Sequence, residues 1–386
     1  MKICFLDPTR QDYDMRTPLE SGIGGSQSAL CYLAKALSQR GHEVFVVNGI
    51  AETGDYDGVR FVSWATGLTT SFLNGVDTII VQNSSLASTI REEIGDTVPR
   101  ILWTGHDCNQ PAVQGLHQPR ERESWRAFAF VSQWQAENYR SAFFIQPERS
   151  AVIHNGISPA FGEVPIKDAW FITGAPPILA YTSTPFRGLD VLLDAFALIR
   201  KAWPRARLRV YSNMSIYRIK PADDPFQALY ARCANTEGVE YIGPVGQARL
   251  AGEMADAAAL AYPSTFAETF CIAVAEAAAA GASIFTTRLG ALPEINEGFA
   301  DFVNFVPDKE KLARDFAELV VAGLQKMVAD PEDAAARRAA RIASYRSRFA
   351  WSRIAEEWER WLDKVVFTHP PVPPQICNGP SRTTSE

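Results

Sequence analysis

The chain is poor in cysteine, in basic excess and in long apolar runs, and each shortage removes a class of function. Only six cysteines occur in 386 residues, at 4, 31, 108, 233, 271 and 377. None forms a C-x-x-C pair or sits at metal-site spacing, so they read as free thiols of a reducing compartment rather than a disulfide framework. Lys and Arg total 38 against 44 Asp and Glu, for a formal charge of −6, and the first 155 residues alone hold 13 basic and 17 acidic side chains. Binding to nucleic-acid phosphates needs clustered cations, so no nucleic-acid partner is expected. No apolar run approaches the roughly 18 residues of a spanning helix. The run that begins at Ile3 meets Asp7 and Pro8 too soon to form a signal-peptide core. The expected location is the cytoplasm, with peripheral attachment to the inner membrane face left open.

What is present is alternation. Short β-type runs (3–6, 44–47, 78–81, 101–103 and 128–131) are separated by helical patterns, the first of them over 26–40 with Leu30, Leu33, Ala34 and Leu37 on one face and Gly41 as its stop. Ser132 followed by Gln135 has the spacing of a capping box. A turn-rich stretch from His154-Asn155-Gly156 through Pro177 then marks a boundary. A second alternating series follows, with runs at 178–182, 208–211, 239–242 and 260–262 and a helix carrying Leu189, Leu192, Leu193, Phe196 and Ile199 on one face. This pattern predicts α/β architecture with two successive doubly wound, Rossmann-like domains over residues 1–157 and 158–349. Beyond Asp308 the pattern turns helical. Trp351, Ile354, Trp358 and Leu362 form an apolar stripe on a last helix over 350–366, and residues 367–386, with five prolines after Phe367, read as a tail.

The most informative segment runs from Ala261 to Ala277. A strand passes into a loop containing Glu268, and then into an alanine-rich helix that carries Glu276 in its middle and stops at Gly281. A carboxylate within so close-packing a helix needs a partner. It can accept two hydrogen bonds side by side, which suits vicinal ribose hydroxyls, while the helix start near Phe270 and Cys271 offers N–H groups to a diphosphate. Each Glu taken alone also fits an ordinary exposed position.

Pro263-Ser264, Glu268 and Glu276 with seven residues between them, Gly281 and Leu292-Pro293-Glu294 together resemble glycosyltransferase family 4, whose members have the GT-B fold. The resemblance implies two facing domains, with the last helix crossing back to the first. It also implies transfer of a sugar from a nucleotide-sugar donor with retention of configuration, no metal and no further cofactor. The acceptor would be a glycan, a lipid-linked sugar or a small molecule. Glu268 would lie against the donor sugar and Glu276 would bind the ribose, with Thr269, Phe270, Cys271 and Ile272 around the diphosphate. Ser183, Thr184 and Arg187 occupy the family's phosphate-binding loop, although the usual first basic residue there is replaced by Ser183 or Thr184 and Cys271 stands where glycine is common. His106, after the run at 101–103, would contact the sugar or polarise the leaving group. Gly24 and Gly25 would admit phosphate or acceptor, or simply start a helix; Gln27 at the third glycine position argues against a dinucleotide fingerprint. His154 reads as part of an interdomain turn. Trp103, Trp125 and Trp134 read equally well as sugar platforms or as core. Asp55-Tyr56-Asp57 resembles a metal-binding motif of another transferase fold but reads as a turn. Other readings are an epimerase or hydrolase on the same architecture, a catalytically silent glycan-binding protein, and, least supported, a nicotinamide-dependent dehydrogenase.

Overall fold

The computed structural model describes residues 1–296 and 298–367, so the proline-rich tail lies outside the described residues. Eight strands form the first sheet: β1 (Lys2–Leu6), β2 (Glu43–Asn48), β3 (Gly54–Tyr56), β4 (Val59–Ser63), β5 (Thr78–Gln82), β6 (Arg100–Thr104), β7 (Ala127–Phe130) and β8 (Ser150–Val152). Their order is β3-β4-β2-β1-β5-β6-β7-β8, parallel throughout except for the β3–β4 hairpin. Six strands form the second: β9 (Ile178–Tyr181), β10 (Arg207–Val210), β11 (Val239–Tyr241), β12 (Ala259–Tyr262), β13 (Ser283–Arg288) and β14 (Ala300–Asn304), in the order β11-β10-β9-β12-β13-β14 and all parallel. Sequence order reverses at β1/β5 and at β9/β12. Such switch points place ligands beyond the carboxyl ends of the strands.

Two elements differ from the sequence reading. Asp55 and Tyr56 belong to the edge strand β3, and only Asp57 and Gly58 make the turn. Strands β13 and β14 are not signalled by apolar alternation, because β13 buries two threonines. The hydroxyls of Thr286 and Thr287 donate to the carbonyls of Tyr262 and Ser264 at 2.8 and 2.7 Å, which removes the cost of burying them.

The alanine-rich helix Ile272–Ala280 is buried along Ala275 and Ala277–Ala280. Small side chains let the helix Pro331–Arg348 approach its backbone, so that Arg346 donates to the carbonyl of Ala279 and Arg338 and Arg341 both donate to that of Gly281. Cations on the last carbonyls complement the helix dipole. The final helix, Trp351–Phe367, lies on the first domain. Its stripe of Trp351, Ile354, Trp358 and Leu362 is buried, with Trp351 against Tyr32 and Trp358 against Trp103 at 6.3 and 5.4 Å between ring centroids. Burial of a large side chain contributes about 2–3 kcal/mol, and Glu359 adds contacts to Arg40 and His42.

Candidate active site

The loops after β1, β5, β6, β9 and β12 converge on one interdomain cleft of about 790 Å³, and every residue the sequence assigned to catalysis or donor binding lines it: Gly24, Gly25, His106, Ser183, Thr184, Arg187, Glu268, Thr269, Phe270, Cys271, Ile272 and Glu276. Trp103, Trp125 and Trp134 do not line it. Trp103 packs on Phe5 and Trp358, Trp125 packs on Phe128, and Trp134 donates its backbone N–H to Glu294. These rings are core and junction, not sugar platforms.

The loop before the alanine-rich helix is fixed by backbone approach. Gly188 has φ +109°, and a Cβ there would lie 2.2 Å from the carbonyl oxygen of Pro263; Gly290 has φ +61°, and its Cβ would lie 2.5 Å from the carbonyl oxygen of Glu268. Only glycine fits both constraints. The carbonyl of Glu268 accepts from the N–H of Ala291 at 2.7 Å. The Glu268 side chain is buried, with one nitrogen of Arg187, Nη1, bridging both of its oxygens at 2.7 and 3.0 Å and the hydroxyl of Tyr262 donating to Oε1 at 2.5 Å. The Arg187 guanidinium also lies against two rings, 4.6 Å from the centroid of Phe266 and 5.5 Å from that of Phe186. Arg187 and Glu268, read from the sequence as separate contacts to phosphate and sugar, form an ion pair with each other. The Nε of Arg187 is buried and has no hydrogen-bond partner among the described residues.

Glu276 is also buried, and its Oε1 accepts from the backbone N–H of Ser158 at 3.0 Å and from Nε2 of Gln247 at 3.3 Å. Burial pushes its carboxyl up to about 8, against the lowering effect of the Ser158 N–H. Oε2 has no partner among the described residues. At the helix start, Cys271 adopts φ +73°, a left-handed conformation costly for a residue with a Cβ. No backbone bond closes on the N–H groups of Ile272 or Ala273 among the described residues, which leaves them for an anion. Burial raises the Cys271 thiol well above its ordinary range, with Glu268 adding to the effect, so the thiol is not an ionised nucleophile.

His106 is supported by residues that the sequence does not connect with it. Its carbonyl accepts from Gln135 Nε2 at 2.7 Å and from the Tyr139 hydroxyl at 3.0 Å. Gln135 therefore does more than cap a helix: its Oε1 accepts from the N–H of Val131, and its own N–H is capped by Ser132. Asn83 accepts from the N–H of Gly105 at 2.7 Å and donates to the Ser26 hydroxyl at 2.9 Å, tying the His106 loop to the glycine loop. Burial, and then the charge of Arg187, pull the His106 imidazole below its ordinary value, which favours the neutral ring; its Nδ1 is buried and has no partner among the described residues. Thr269 crosses the cleft, donating from Oγ1 to the carbonyl of Gly105 at 2.6 Å. Glu294 likewise crosses the junction to accept from the N–H groups of Gln133 and Trp134 at 2.8 and 3.0 Å. His154 lies between Phe270 and Phe349, with Nε2 3.7 Å from Glu294.

Comparison with known proteins bears on the family likeness and the fold. Residues 176–326 match the family model "Glycosyl transferases group 1". The chain is similar to the D-inositol 3-phosphate glycosyltransferase of Streptomyces scabiei, with 29% identity over 268 residues, which are 64% of this chain and 56% of that protein. The same-named protein of Streptomyces griseus is 28% identical over 187 residues, 46% of this chain and 37% of its own length. The chain thus spans about half, or less, of the curated relatives it matches. Among solved structures, Anabaena Alr3699/HepE in complex with UDP superposes with a TM-score of 0.67 at 17% identity, covering 94% of this chain and 100% of that one. Sucrose-phosphate synthase from Thermosynechococcus elongatus gives 0.68 at 16% identity, covering 96% and 100%. Both likenesses establish the fold.

Proposed function

Because residues 176–326 match the group 1 glycosyl transferase model and the chain has the GT-B fold, we propose that it is a glycosyl transferase that moves a sugar from a nucleotide-sugar donor to an acceptor across this cleft. The observation that carries the proposal is the convergence of an arginine, two buried carboxyls and a helix N-terminus on one cleft. In this reading Glu276 Oε2 meets the ribose, the first turn of the helix from Ile272 meets the diphosphate, and the Arg187–Glu268 pair lies between phosphate and sugar. When the bond from sugar to diphosphate breaks, charge develops on the leaving oxygen. Arg187 and the helix N–H groups stabilise it without reorganisation. Glu268, held by Arg187 and Tyr262, orients the sugar, and neutral His106 offers it a hydrogen bond. Retention of configuration and independence of metal are part of the proposal. The five described cysteines are unpaired, which fits a reducing, cytoplasmic setting.

The acceptor belongs to the opposite wall, where Thr9, Gln11, Ser26, Asn83 and Gln110 line the cleft and no Lys or Arg does among the described residues. The amide oxygens of Gln11, Gln82 and Gln110 are buried and have no partner among the described residues. Carbonyl oxygens take up hydroxyl hydrogens and repel anions. The group that enters is therefore an uncharged polyol, a sugar or cyclitol ring without phosphate. This differs from what the names of the curated relatives give for them, an inositol phosphate.

The experiment is a thermal-shift screen of nucleotides and then nucleotide sugars, followed by transfer assays that set glucose and myo-inositol against their phosphates, each with and without EDTA. We expect a shift of several degrees for one nucleotide series, transfer to the neutral polyols, and rates indifferent to EDTA. Absence of any nucleotide shift removes the donor assignment, preference for the phosphates removes the acceptor assignment, and loss of rate in EDTA removes metal independence.

A further inference from the structure

Glu276 is not held by its own domain alone. Three buried or half-buried residues from three parts of the chain, Ser158, Tyr32 and Gln247, close a ring with it. The Ser158 hydroxyl, at the domain junction, donates to the Tyr32 oxygen at 3.1 Å; the Tyr32 hydroxyl, on the first-domain helix Gly25–Gln39, donates to Gln247 Oε1; Gln247 Nε2 donates to Glu276 Oε1 at 3.3 Å; and the Ser158 N–H donates to the same oxygen at 3.0 Å. Every hydroxyl and amide in the ring has its direction set. A phenol proton pointed at Gln247 Oε1 leaves that amide only one useful orientation, with its NH2 toward the carboxyl. Oε1 of Glu276 is then saturated by two donors, and Oε2 alone faces the cleft.

The same tyrosine is fixed from behind. Its ring lies 6.3 Å from that of Trp351, the first residue of the returning helix, and the backbone of Gly156 passes so close to Trp351 that a Cβ there would lie 2.6 Å from the indole. Tyr32, Ser158 and Trp351 are thus packed at the place where the chain passes between the domains. A rotation of one domain against the other moves the Tyr32 hydroxyl relative to Gln247, and with it the donors on Glu276.

We infer that Tyr32 is a positioning residue for the nucleotide site: through Gln247 and Ser158 it orients the Glu276 carboxyl and makes recognition of the ribose depend on the relative placement of the two domains. The inference rests on the assignment of Glu276 to the ribose. Loss of the phenol oxygen leaves Gln247 Oε1 without its donor, so the amide is no longer held with its NH2 on Glu276 Oε1. The consequence falls on the sugar hydroxyls and not on the diphosphate.

The test uses the full chain and whichever of UDP, GDP and ADP binds it most tightly, compared with the 2′,3′-dideoxy form of the same nucleotide by calorimetry. For Tyr32→Phe we expect the ribonucleotide to bind 5- to 20-fold more weakly while the dideoxy form changes by less than twofold, and we expect no further loss when the substitution is added to Glu276→Gln. Gln247→Leu, at a half-buried position, should give the same ribose-confined loss and serves if Tyr32→Phe does not fold. Ser158→Ala, which keeps the backbone donor, should give a smaller one. Equal weakening of both nucleotides, or none, overturns the inference and leaves the donor assignment standing. Wild-type protein that binds no nucleotide overturns both.

Discussion

The C-terminal wall of the cleft holds a cation and two carboxyls, while the N-terminal wall is lined by hydroxyls, amides and one neutral imidazole. On the C-terminal side, burial raises the stakes of each charge. Arg187 and Glu268 are stable there because they face each other, and Glu276 because protonation spares it the cost of a buried anion. On the N-terminal side the polar groups are anchored to backbone by Asn83, Gln135 and Tyr139, with amide oxygens left over. One wall pairs its charges internally, the other keeps neutral polar groups, and the proposed roles of donor and acceptor wall rest on that difference.

The sharpest way to break this contrast is Arg187→Ala. It removes the cation expected to stabilise the leaving group and leaves Glu268 buried without its counter-charge. Transfer should fall about 10²- to 10³-fold, and stability should drop by about 2 kcal/mol, less than for a fully buried pair because Arg187 keeps some exposure. Arg187→Lys should not restore the rate, since an ammonium neither stacks on Phe266 nor spans two groups as a guanidinium does. A rate within threefold of wild type in steady-state assays would mean that the C-terminal wall does not work by charge.

Glu276→Gln should weaken nucleotide binding about tenfold and change its pH dependence. Its carboxyl is raised in the folded chain, from the ordinary carboxylate range to about 8, so its contribution to stability is fully present below about pH 4.5 and is lost as pH rises toward 8. In the unliganded protein Glu276→Gln should therefore gain on wild type as pH rises across that window, by on the order of a few kcal/mol at pH 9. Wild-type nucleotide affinity should rise between pH 6.5 and 8.5 as the carboxylate forms, and the variant's should rise less. Parallel denaturation and titration curves for the two proteins across this range would count against a buried, protonated Glu276.

The smallest effect concerns the helix start. At a normal helical position alanine is more stable than glycine, but at φ +73° the order should reverse. Cys271→Gly should be more stable than Cys271→Ala by about 1 kcal/mol in chemical denaturation. The usual order would show that Cys271 is not held in the left-handed region.

Much of the fold was legible because its elements carry period. The helix stripe of Leu30, Leu33, Ala34 and Leu37 and the last stripe from Trp351 to Leu362 are buried as their spacing demands. The alanine-rich helix with its lone internal carboxyl was legible because so unusual a composition constrains packing. Strand β13 was not, since its threonines are satisfied by carbonyls that the sequence cannot place. Asn83, Gln135, Tyr139, Tyr32 and Gln247 were not either. Each is a single polar residue in a common context, and its role exists only in its partners.

By itself the sequence determined which charged and polar residues come to line the cleft: two acids at fixed spacing on a loop and helix, an arginine before a glycine, and a histidine after a strand. Local geometry is encoded in neighbouring residues, so spacing alone carries it. Only the tertiary structure decided how those groups are partnered, that Arg187 faces Glu268 and that Glu276 answers to a tyrosine 244 residues away in the chain. Hydrogen bonds and ion pairs depend on distances of a few ångströms, and between residues far apart in sequence those distances are set by the packing of two domains and a returning helix.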